Sequence, residues 1–182
     1  MTVLVTFASA RGSTRSVAER IAAKISQRGR FAVAAAVDDV ATLAPYDAVV
    51  IGSAVHDQRW LPKAIWFLAD HAEELARRPV WLFSVGMPAA VGWPWRRLAL
   101  REGTAIQRDL ASVVTARGHR LFSGVVTPET FPQSSSRMVF RLMGCRYGDF
   151  RDWPAIDRWA VEIADALDNR TSAIDVTDAE QR

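Results

Sequence analysis

Six consecutive residues near the N-terminus, Ser9 to Thr14, carry the groups that a phosphate-binding loop needs. They follow the apolar run TVLVTF at 2–7 and precede a segment with helical periodicity. They would therefore lie at a helix N-terminus, where backbone N–H groups lack intrahelical acceptors. The hydroxyls of Ser9, Ser13 and Thr14 add donors, and Gly12 lets the backbone approach an anion closely. This combination predicts a site for a phosphate monoester.

Two other kinds of phosphate loop do not match this stretch. It lacks the Gly-Lys-Ser/Thr sequence of the Walker A loop, and no lysine lies nearby to reach a β- or γ-phosphate. It contains a single glycine, whereas the dinucleotide-binding fingerprint has three. Taken alone, residues 9–14 also fit an ordinary strand-to-helix turn capped by serine and threonine. The choice between these two interpretations depends on the position of residues 9–14 in the fold.

The other reactive residue types form no recognisable catalytic or metal site in the sequence. The three histidines, His56, His71 and His119, are too far apart in sequence to indicate a set of metal ligands. The single cysteine, Cys145, has no neighbouring base, so we expect a partly buried thiol rather than a nucleophile. With one cysteine, no internal disulfide can form. Catalytic residues and a metal site are therefore not assigned.

Segments with strand and helix periodicity alternate along the chain. We expect five strands, at 2–7, 31–37, 47–54, 79–86 and 119–126, and four helices, at 13–28, 61–75, 104–117 and 153–168. Asp152 is expected to cap the last helix, and Trp66, Trp81 and Trp159 are expected to pack in the core. The alternation predicts an α/β fold with a doubly wound parallel sheet in the strand order 2-1-3-4-5.

In that order the connections change direction between strands 1 and 3, and ligands bind at the carboxyl ends of the strands beside this point. Residues 9–14 lie there, which favours the phosphate-binding interpretation. Length and composition indicate one domain at 1–169, followed by a polar tail at 170–182. No apolar run is long enough to span a bilayer, and the N-terminus lacks the layout of a signal peptide, so we expect a cytoplasmic protein.

Two segments, 88–103 and 133–148, are basic and rich in large apolar side chains. Their residues of interest are Trp93, Trp95, Arg96, Arg97, Arg137, Arg141 and Arg146. Because both segments follow strands and emerge at the ligand-binding edge of the sheet, four roles are open. They could contact an apolar anionic ligand, lie on a membrane surface, bind a protein partner, or pack as a lid on the protein itself. Without a lysine-rich run or a recognised motif, nucleic acid is not an expected partner.

The stretch SARGST resembles the phosphate loop of flavodoxins, whose pattern is Thr/Ser-x-Thr-Gly-x-Thr. Ser9, Gly12 and Thr14 match, and Arg11 stands where flavodoxins commonly have threonine. The resemblance implies a flavodoxin-like fold that binds FMN, with the phosphate in this loop and the isoalloxazine ring between the loops after strands 3 and 4. The implied residues are Ser9, Ala10, Arg11, Gly12, Ser13 and Thr14 for the phosphate, and Ser53, Ala54, Val55, His56, Asp57, Ser84, Val85, Gly86 and Met87 for the ring.

Nearly the whole chain resembles the flavodoxin-type, menaquinone-dependent protoporphyrinogen IX dehydrogenase family. The resemblance rests on VVIGSAVHDQRWLPKAIWFLADH at 49–71, FSVGM at 83–87 and RLMGCRYGDFRDWPAIDRWAVEIADAL at 141–167. It implies an FMN-dependent oxidoreductase that passes electrons from protoporphyrinogen IX, or a related substrate, to a quinone. The two basic segments would then contact the substrate or the cytoplasmic face of the membrane.

Two other functions stay open on the sequence. A flavodoxin that carries electrons between redox partners would have the same loop, although typical flavodoxins are acidic and the excess charge here is positive. The second open function is that of a flavodoxin-like binding module that has lost FMN, and Arg11 in the phosphate loop is the feature that supports it. Whether the chain forms a homodimer is open as well.

Overall fold

Strands and helices alternate in the structure as the sequence pattern predicts. The computed structural model describes residues 1–90, 106, 108, 110–130, 138, 140–142 and 144–180, and for residues 170–180 the backbone alone. The strands within these residues are β1 Thr2–Ala8, β2 Phe31–Ala36, β3 Ala48–His56, β4 Arg59–Trp60, β5 Val80–Gly86, β6 Gly118–Ser123, β7 Val125–Val126 and β8 Gly148–Asp149. The α-helices with defined bounds are α1 Ser13–Gln27, α2 Pro62–Asp70, α3 Ala72–Ala76 and α4 Trp153–Glu180. Short 3-10 helices lie at Val37–Asp39 and Pro128–Thr130.

The main sheet has the order β2-β1-β3-β5-β6, and these five strands are parallel. Counted by main strands this is the order 2-1-3-4-5, so the prediction of a doubly wound, flavodoxin-like α/β fold is confirmed. In the central pair, Val5 of β1 lies opposite Val50 of β3, and Ala8 lies opposite Ser53. The carboxyl ends of β1 and β3 therefore meet at one edge, from which the 9–14 loop departs.

Each face of the sheet carries its own hydrophobic core, because successive side chains of a strand point to opposite faces. The core under α1 and α4, here named the α1–α4 face, includes Val5, Ile21, Val50, Phe83 and Trp159. The core under α2 and α3, named the α2–α3 face, includes Leu4, Ile51, Leu68, Leu75 and Leu82.

On the α1–α4 face the ring of Phe83 lies directly over Gly52 of β3. A Cβ atom at position 52 would come within 2.0 Å of Phe83 Cζ, a distance that no packed structure tolerates. The Phe83 ring also contacts the rings of Trp159 and Phe122, with centroids 6.1 and 6.4 Å away. Glycine at position 52 is therefore what allows the aromatic cluster to sit against the sheet.

The predicted helix at 61–75 and the predicted strand at 119–126 are each divided in the structure. The helix is interrupted at His71, between α2 and α3. The strand is interrupted at Gly124, because β7 leaves the main sheet and pairs in antiparallel fashion with β8. The predicted helix at 104–117 lies partly outside the described residues. Within them, residues 106, 108, 110 and 111 are helical.

The expectation that Trp66 packs in the core is wrong. Trp66 is 66% exposed on α2, because Ala64, Phe67 and Leu68 occupy the helix face toward the sheet. Trp81 and Trp159 are buried, as predicted. Near the end of the 104–117 segment, Val114 is buried and Val113 is exposed.

Helix α4 begins at the predicted cap and is longer than predicted. Asp152 Oδ1 accepts a hydrogen bond of 3.0 Å from the Ala155 N–H, which confirms the cap. The backbone stays helical through Glu180, so α4 includes most of the segment expected to be a polar tail. The domain boundary at residue 169 stays a prediction. Among the described residues, no helix combines the length and apolar character needed to cross a membrane.

Candidate functional site

The 9–14 loop turns sharply at Gly12 between β1 and α1. Gly12 has φ +88°, in the left-handed region that favours glycine. Its N–H donates to Ser9 Oγ at 2.9 Å, and its carbonyl accepts the first hydrogen bond of α1, from the Ser16 N–H at 3.0 Å. The first-turn N–H groups of α1 are consequently left without intrahelical acceptors and with the positive end of the helix dipole.

Thr14 adds an unpaired hydroxyl to this loop. Its side chain is fully buried, and its Oγ1 has no hydrogen-bond partner among the residues that the structure describes; the same holds for Thr6 in β1. Buried polar groups are nearly always paired, and an unpaired one costs about 1 to 3 kcal/mol. An anion held at the N-terminus of α1 would offer Thr14 an acceptor, so the residues present fit a phosphate group.

Arg11 extends away from the turn of the loop. Its exposed guanidinium donates to the backbone carbonyl of Glu129, at 2.7 Å, in the 3-10 helix Pro128–Thr130. This contact joins the 9–14 loop to the segment that follows β7. The departure from the flavodoxin pattern at Arg11 therefore gives the loop a tertiary contact that a threonine side chain is too short to make.

The stretch after β3, expected to be a loop, is a tight hairpin. Asp57 and Gln58 both have positive φ, 48° and 62°, and β4 folds back so that His56 pairs with Arg59. This geometry is that of a two-residue hairpin turn, which usually contains glycine or asparagine. The side chain of His56 is 67% exposed, and its Nδ1 lies 3.1 Å from Asp57 Oδ2. The 56–59 hairpin thus presents a histidine and a carboxylate at the edge of the sheet.

Two serines predicted to contact the flavin ring lie beneath this hairpin and are fully buried. Ser53 Oγ donates to the Ala54 carbonyl at 2.9 Å and accepts from the Leu61 N–H at 3.0 Å, just before α2. Ser84 Oγ accepts from Trp60 Nε1 at 2.7 Å. In this structure the two hydroxyls hold β4 and the start of α2 in place. Their contact with a flavin stays a prediction.

The half-buried His119 extends this chain of hydrogen bonds. Its Nε2 lies 2.8 Å from Ser84 Oγ. Because the Ser84 oxygen accepts from Trp60, its own hydrogen is free to be donated to His119 Nε2, which fits the neutral imidazole with its proton on Nδ1. Burial lowers the pKa of His119 to about 4, so this ring is neutral at physiological pH.

The loop after β5 is fixed by the ends of two other segments. The Gly124 N–H donates to the Gly86 carbonyl at 2.9 Å, and the Arg146 N–H donates to the Ala90 carbonyl at 3.0 Å. Val85 is buried, whereas Met87 is exposed. The three predicted ligand-binding segments therefore lie at one edge of the sheet: the 9–14 loop, the 56–59 hairpin and the loop after β5.

This arrangement has counterparts among known proteins. A family model described as a flavodoxin domain matches residues 4–126, which include the loop, the hairpin and five strands of the main sheet. The chain belongs to the flavodoxin domain family. A comparison with curated protein sequences gave no match.

Solved structures agree with this family assignment at the level of the fold. A flavodoxin from the domain Archaea is 16% identical, with a TM-score of 0.57 over 92% of this chain and 99% of that chain. Oxidised flavodoxin 2 from Bacillus cereus is 19% identical, with a TM-score of 0.54 over 91% and 99%. Rubredoxin oxygen:oxidoreductase from Desulfovibrio gigas is 15% identical, with a TM-score of 0.61 over 93% of this chain. The present chain covers 37% of that larger oxidoreductase.

The two basic segments are described in part. Trp93, Trp95, Arg96, Arg97 and Arg137 lie outside the described residues. In the second segment Phe140 is buried against Ala90, Val126 and Cys145, which confirms the expectation of a partly buried thiol. Arg141 and Arg146 are exposed, and so are Met138 and Leu142, at 65% and 77%. The described residues of the 138–146 segment are therefore anchored beside the loop after β5 and present a basic, apolar outer surface.

Sequence reasoning missed Trp60 and His119. The hairpin lacks the glycine or asparagine that usually marks such a turn, so the position of Trp60 on β4 gave no local signal. For His119 the sequence did contain a signal, because a polar residue at the start of an otherwise apolar strand usually has a buried partner. Among the described residues, no three histidine, cysteine or acidic side chains gather where a metal ion could bind.

Proposed function

We propose that this protein binds FMN and transfers electrons through it. The 9–14 loop carries the proposal, because its left-handed Gly12, its free first-turn N–H groups and its unpaired Thr14 hydroxyl lie together at the switch point of the sheet. Members of the flavodoxin family typically bind FMN. FMN carries the phosphate monoester that this loop fits.

The residues flanking the loop would hold the isoalloxazine ring. The ring would lie between the 56–59 hairpin and the loop after β5, where His56 and Met87 expose their side chains. Ser53 and Ser84 would support this site from below by fixing α2 and β4. FMN, when bound, supplies the redox chemistry, and the protein binds the phosphate, orients the ring and adjusts its potential.

The decisive experiment compares two glycine variants of the same helix. Gly12 and Gly29 lie at opposite ends of α1, and both have positive φ, +88° and +83°, with open space at the Cβ position. Gly12→Val and Gly29→Val should therefore introduce similar backbone strain. We expect Gly12→Val alone to weaken FMN binding, at least about tenfold, because the branched side chain blocks the phosphate. Calorimetric titration with FMN measures this, and equal affinities for the two variants would contradict the loop assignment.

Riboflavin provides a second measurement of the same loop. It has the isoalloxazine ring of FMN without the phosphate, so the first-turn N–H groups of α1 would lose their acceptor. We expect riboflavin to bind at least about tenfold more weakly than FMN. A fluorescence-quenching titration that gives equal affinities would indicate a pocket for the ring alone.

A finer proposal concerns the substrate. We propose an oxidoreductase that removes hydrogen atoms in pairs from protoporphyrinogen IX, or a related substrate, and delivers two electrons and two protons to a quinone. The 138–146 segment supports this proposal, because exposed Met138 and Leu142 lie among arginines and beside the loop after β5. A broad apolar substrate with carboxylates would match such a surface. A quinone and an anionic membrane surface would match it as well.

Turnover distinguishes this enzyme from an electron-carrying flavodoxin. We expect anaerobic formation of protoporphyrin with a soluble menaquinone analogue as acceptor. Arg137, Arg141 and Arg146 changed together to Gln should raise KM and leave the FMN content unchanged, whereas the exposed control Arg77→Gln should change neither. If the basic surface binds lipid instead, the triple variant should lose sedimentation with anionic vesicles, by about 1 kcal/mol per residue. Failure of the parent protein to oxidise the substrate would favour the electron carrier.

A further inference from the structure

A cleft of about 390 Å³ lies between β6 and α4, at the outer side of the sheet. Its apolar lining comes from Pro88, Leu121, Phe122, Phe150, Ala155 and Trp159. Phe122 and Trp159 are themselves nearly buried, and their ring centroids lie 5.6 Å apart at 66°. This pair gives the cleft a rigid aromatic wall. The volume is at the lower end of the range of small-molecule sites.

The charged residues around this cleft differ in whether their side chains already have an ion-pair or hydrogen-bond partner. Arg120 pairs with Glu162 at 3.4 Å. Asp152 accepts a hydrogen bond from the first turn of α4. Arg158 is exposed and lines the cleft, and its side chain forms no ion pair or hydrogen bond within the part of the chain that the structure describes. An anion in the cleft would therefore find Arg158 available without breaking an existing pair.

The cleft lies beside the proposed flavin site and does not include it. Among the described residues, none from the 9–14 loop or the 56–59 hairpin lines it. Pro88 and Ala89 do line it, and they directly follow the residues expected to contact the flavin. The Ala89 N–H donates to Ser123 Oγ at 3.2 Å, which fixes this wall of the cleft to β6.

We propose that the cleft between β6 and α4 binds a small planar aromatic molecule with one carboxylate or similar anionic group. The ring packs on the apolar wall formed by Phe122, Trp159 and Pro88, and the anionic group pairs with Arg158. Aromatic side chains favour such rings as edge-to-face or offset partners. A charge-assisted hydrogen bond to Arg158 would select the anion over an uncharged molecule of the same shape. This site is independent of the proposed flavin chemistry.

The probes are 2-naphthoate and its uncharged counterpart, 2-naphthamide, titrated calorimetrically into the purified protein saturated with FMN. We expect 2-naphthoate to bind one-to-one with a Kd of about 0.1 to 1 mM, from the usual affinity per atom of small ligands. Arg158→Gln should weaken the binding of 2-naphthoate at least about fivefold and should leave the affinity for 2-naphthamide within about twofold of the parent. The matched control is Arg77→Gln, which removes an exposed arginine whose side chain has no partner among the described residues, and which should change neither affinity.

Filling the cleft is the complementary test. Ala155→Phe should abolish binding of both probes by occupying the space beside Trp159. Ala155→Leu is the smaller change, which covers the case in which phenylalanine perturbs α4, and it should weaken the binding of both probes to an intermediate degree. FMN affinity should stay unchanged in every variant. The proposal is overturned if 2-naphthoate shows no saturable binding, if Arg158→Gln behaves like Arg77→Gln, or if both Ala155 variants bind 2-naphthoate as tightly as the parent.

Discussion

The two faces of the sheet are held together by different chemistry. On the α1–α4 face, aromatic rings pack over Gly52, and ion pairs join the two helices at the rim. These pairs are Arg20–Asp157 at 2.6 Å, Lys24–Asp157 at 3.5 Å and Arg28–Asp165 at 2.7 Å. On the α2–α3 face, a chain of hydrogen bonds crosses an aliphatic core: it runs from Trp60 through Ser84, where it is buried, to the half-buried His119.

This difference shows which face supports the ligand-binding edge. Ion pairs exposed to water contribute little to stability, so the α1–α4 face depends on its packed rings. Buried hydrogen bonds are directional and costly to leave unmade, so the polar chain fixes the position of the 56–59 hairpin. The α1–α4 face should therefore be sensitive to the size of its core residues, and the α2–α3 face to pH and to loss of single hydrogen bonds.

The largest effect should come from Gly52→Ala. The added methyl group would overlap the Phe83 ring, and we expect a loss of about 3 kcal/mol or more in the free energy of unfolding, measured with urea. The control is Gly118→Ala, whose Cβ would lie 3.6 Å from Trp81 Cδ1, an ordinary contact, and should change stability by less than about 0.5 kcal/mol. Adding Phe83→Leu to Gly52→Ala should recover part of the loss. Equal stability of the two alanine variants would contradict this account of the aromatic core.

As the pH falls, the free energy of unfolding should first decrease through a group on the α2–α3 face, His119. The pKa of His119 is about 4 in the folded protein and 6.5 without the effect of burial, so the unfolded chain takes up the proton first as pH falls. The contribution of the neutral ring is complete above pH 6.5 and is lost progressively down to pH 4. Because His119 is half-buried and partly screened by water, lowering the pH from 7 to 5 should reduce the free energy of unfolding by up to about 2 kcal/mol through this group.

His119→Gln isolates that contribution. Glutamine retains an acceptor for Ser84 and does not titrate, so its stability should fall less between these two pH values. Hydrogen bonds from Arg20 lower the pKa of Asp157, so the ion pair on the α1–α4 face loses its contribution only in more acidic solution. Parallel pH profiles for the parent and His119→Gln would mean that His119 stays accessible to protons in the folded state.

Trp60→Phe should have the next largest effect. It removes the Nε1–H donor to Ser84 and keeps most of the ring, so we expect a loss of about 1 to 2 kcal/mol in the free energy of unfolding. A double-mutant cycle with Ser84→Ala tests whether the loss comes from this bond, since the two changes should then be non-additive by at least about 0.5 kcal/mol. Simple additivity would show that Trp60 stabilises the hairpin through packing alone.

The smallest effect should come from the rim of the α1–α4 face. Asp157→Asn removes the carboxylate that pairs with both Arg20 and Lys24, and should cost about 0.5 to 1 kcal/mol at low salt. The effect should shrink in 1 M salt because the charges are screened. Glu19→Gln, which breaks an exposed pair within α1, is the control and should cost less. A salt-independent loss for Asp157→Asn would point to packing rather than charge.

Much of the fold and part of the candidate site could be predicted from the sequence. Strand order, the position of the 9–14 loop and the Asp152 cap follow from local patterns: apolar periodicity, a glycine after a strand, and an acidic residue before a helix. The 56–59 hairpin could not be predicted, because Asp57 and Gln58 adopt left-handed backbone without the usual glycine. The exposure of Trp66 was missed because the helical stripe could be drawn through more than one set of apolar residues.

The sequence by itself determined the alternation of elements, and with it the edge at which a ligand binds, because local periodicity and the right-handed crossover rule depend on neighbouring residues. Only the tertiary structure decided which polar groups are available there. Ser84 is 24 residues from Trp60 and 35 from His119, so their shared hydrogen bonds arise from strand pairing rather than from any local pattern. Arg11 and Glu129 are 118 residues apart, and their contact exists because β1 and β6, the strand that precedes β7, end at the same edge of the main sheet. Long-range contacts of this kind depend on the register of strands distant in sequence, which local periodicity does not specify.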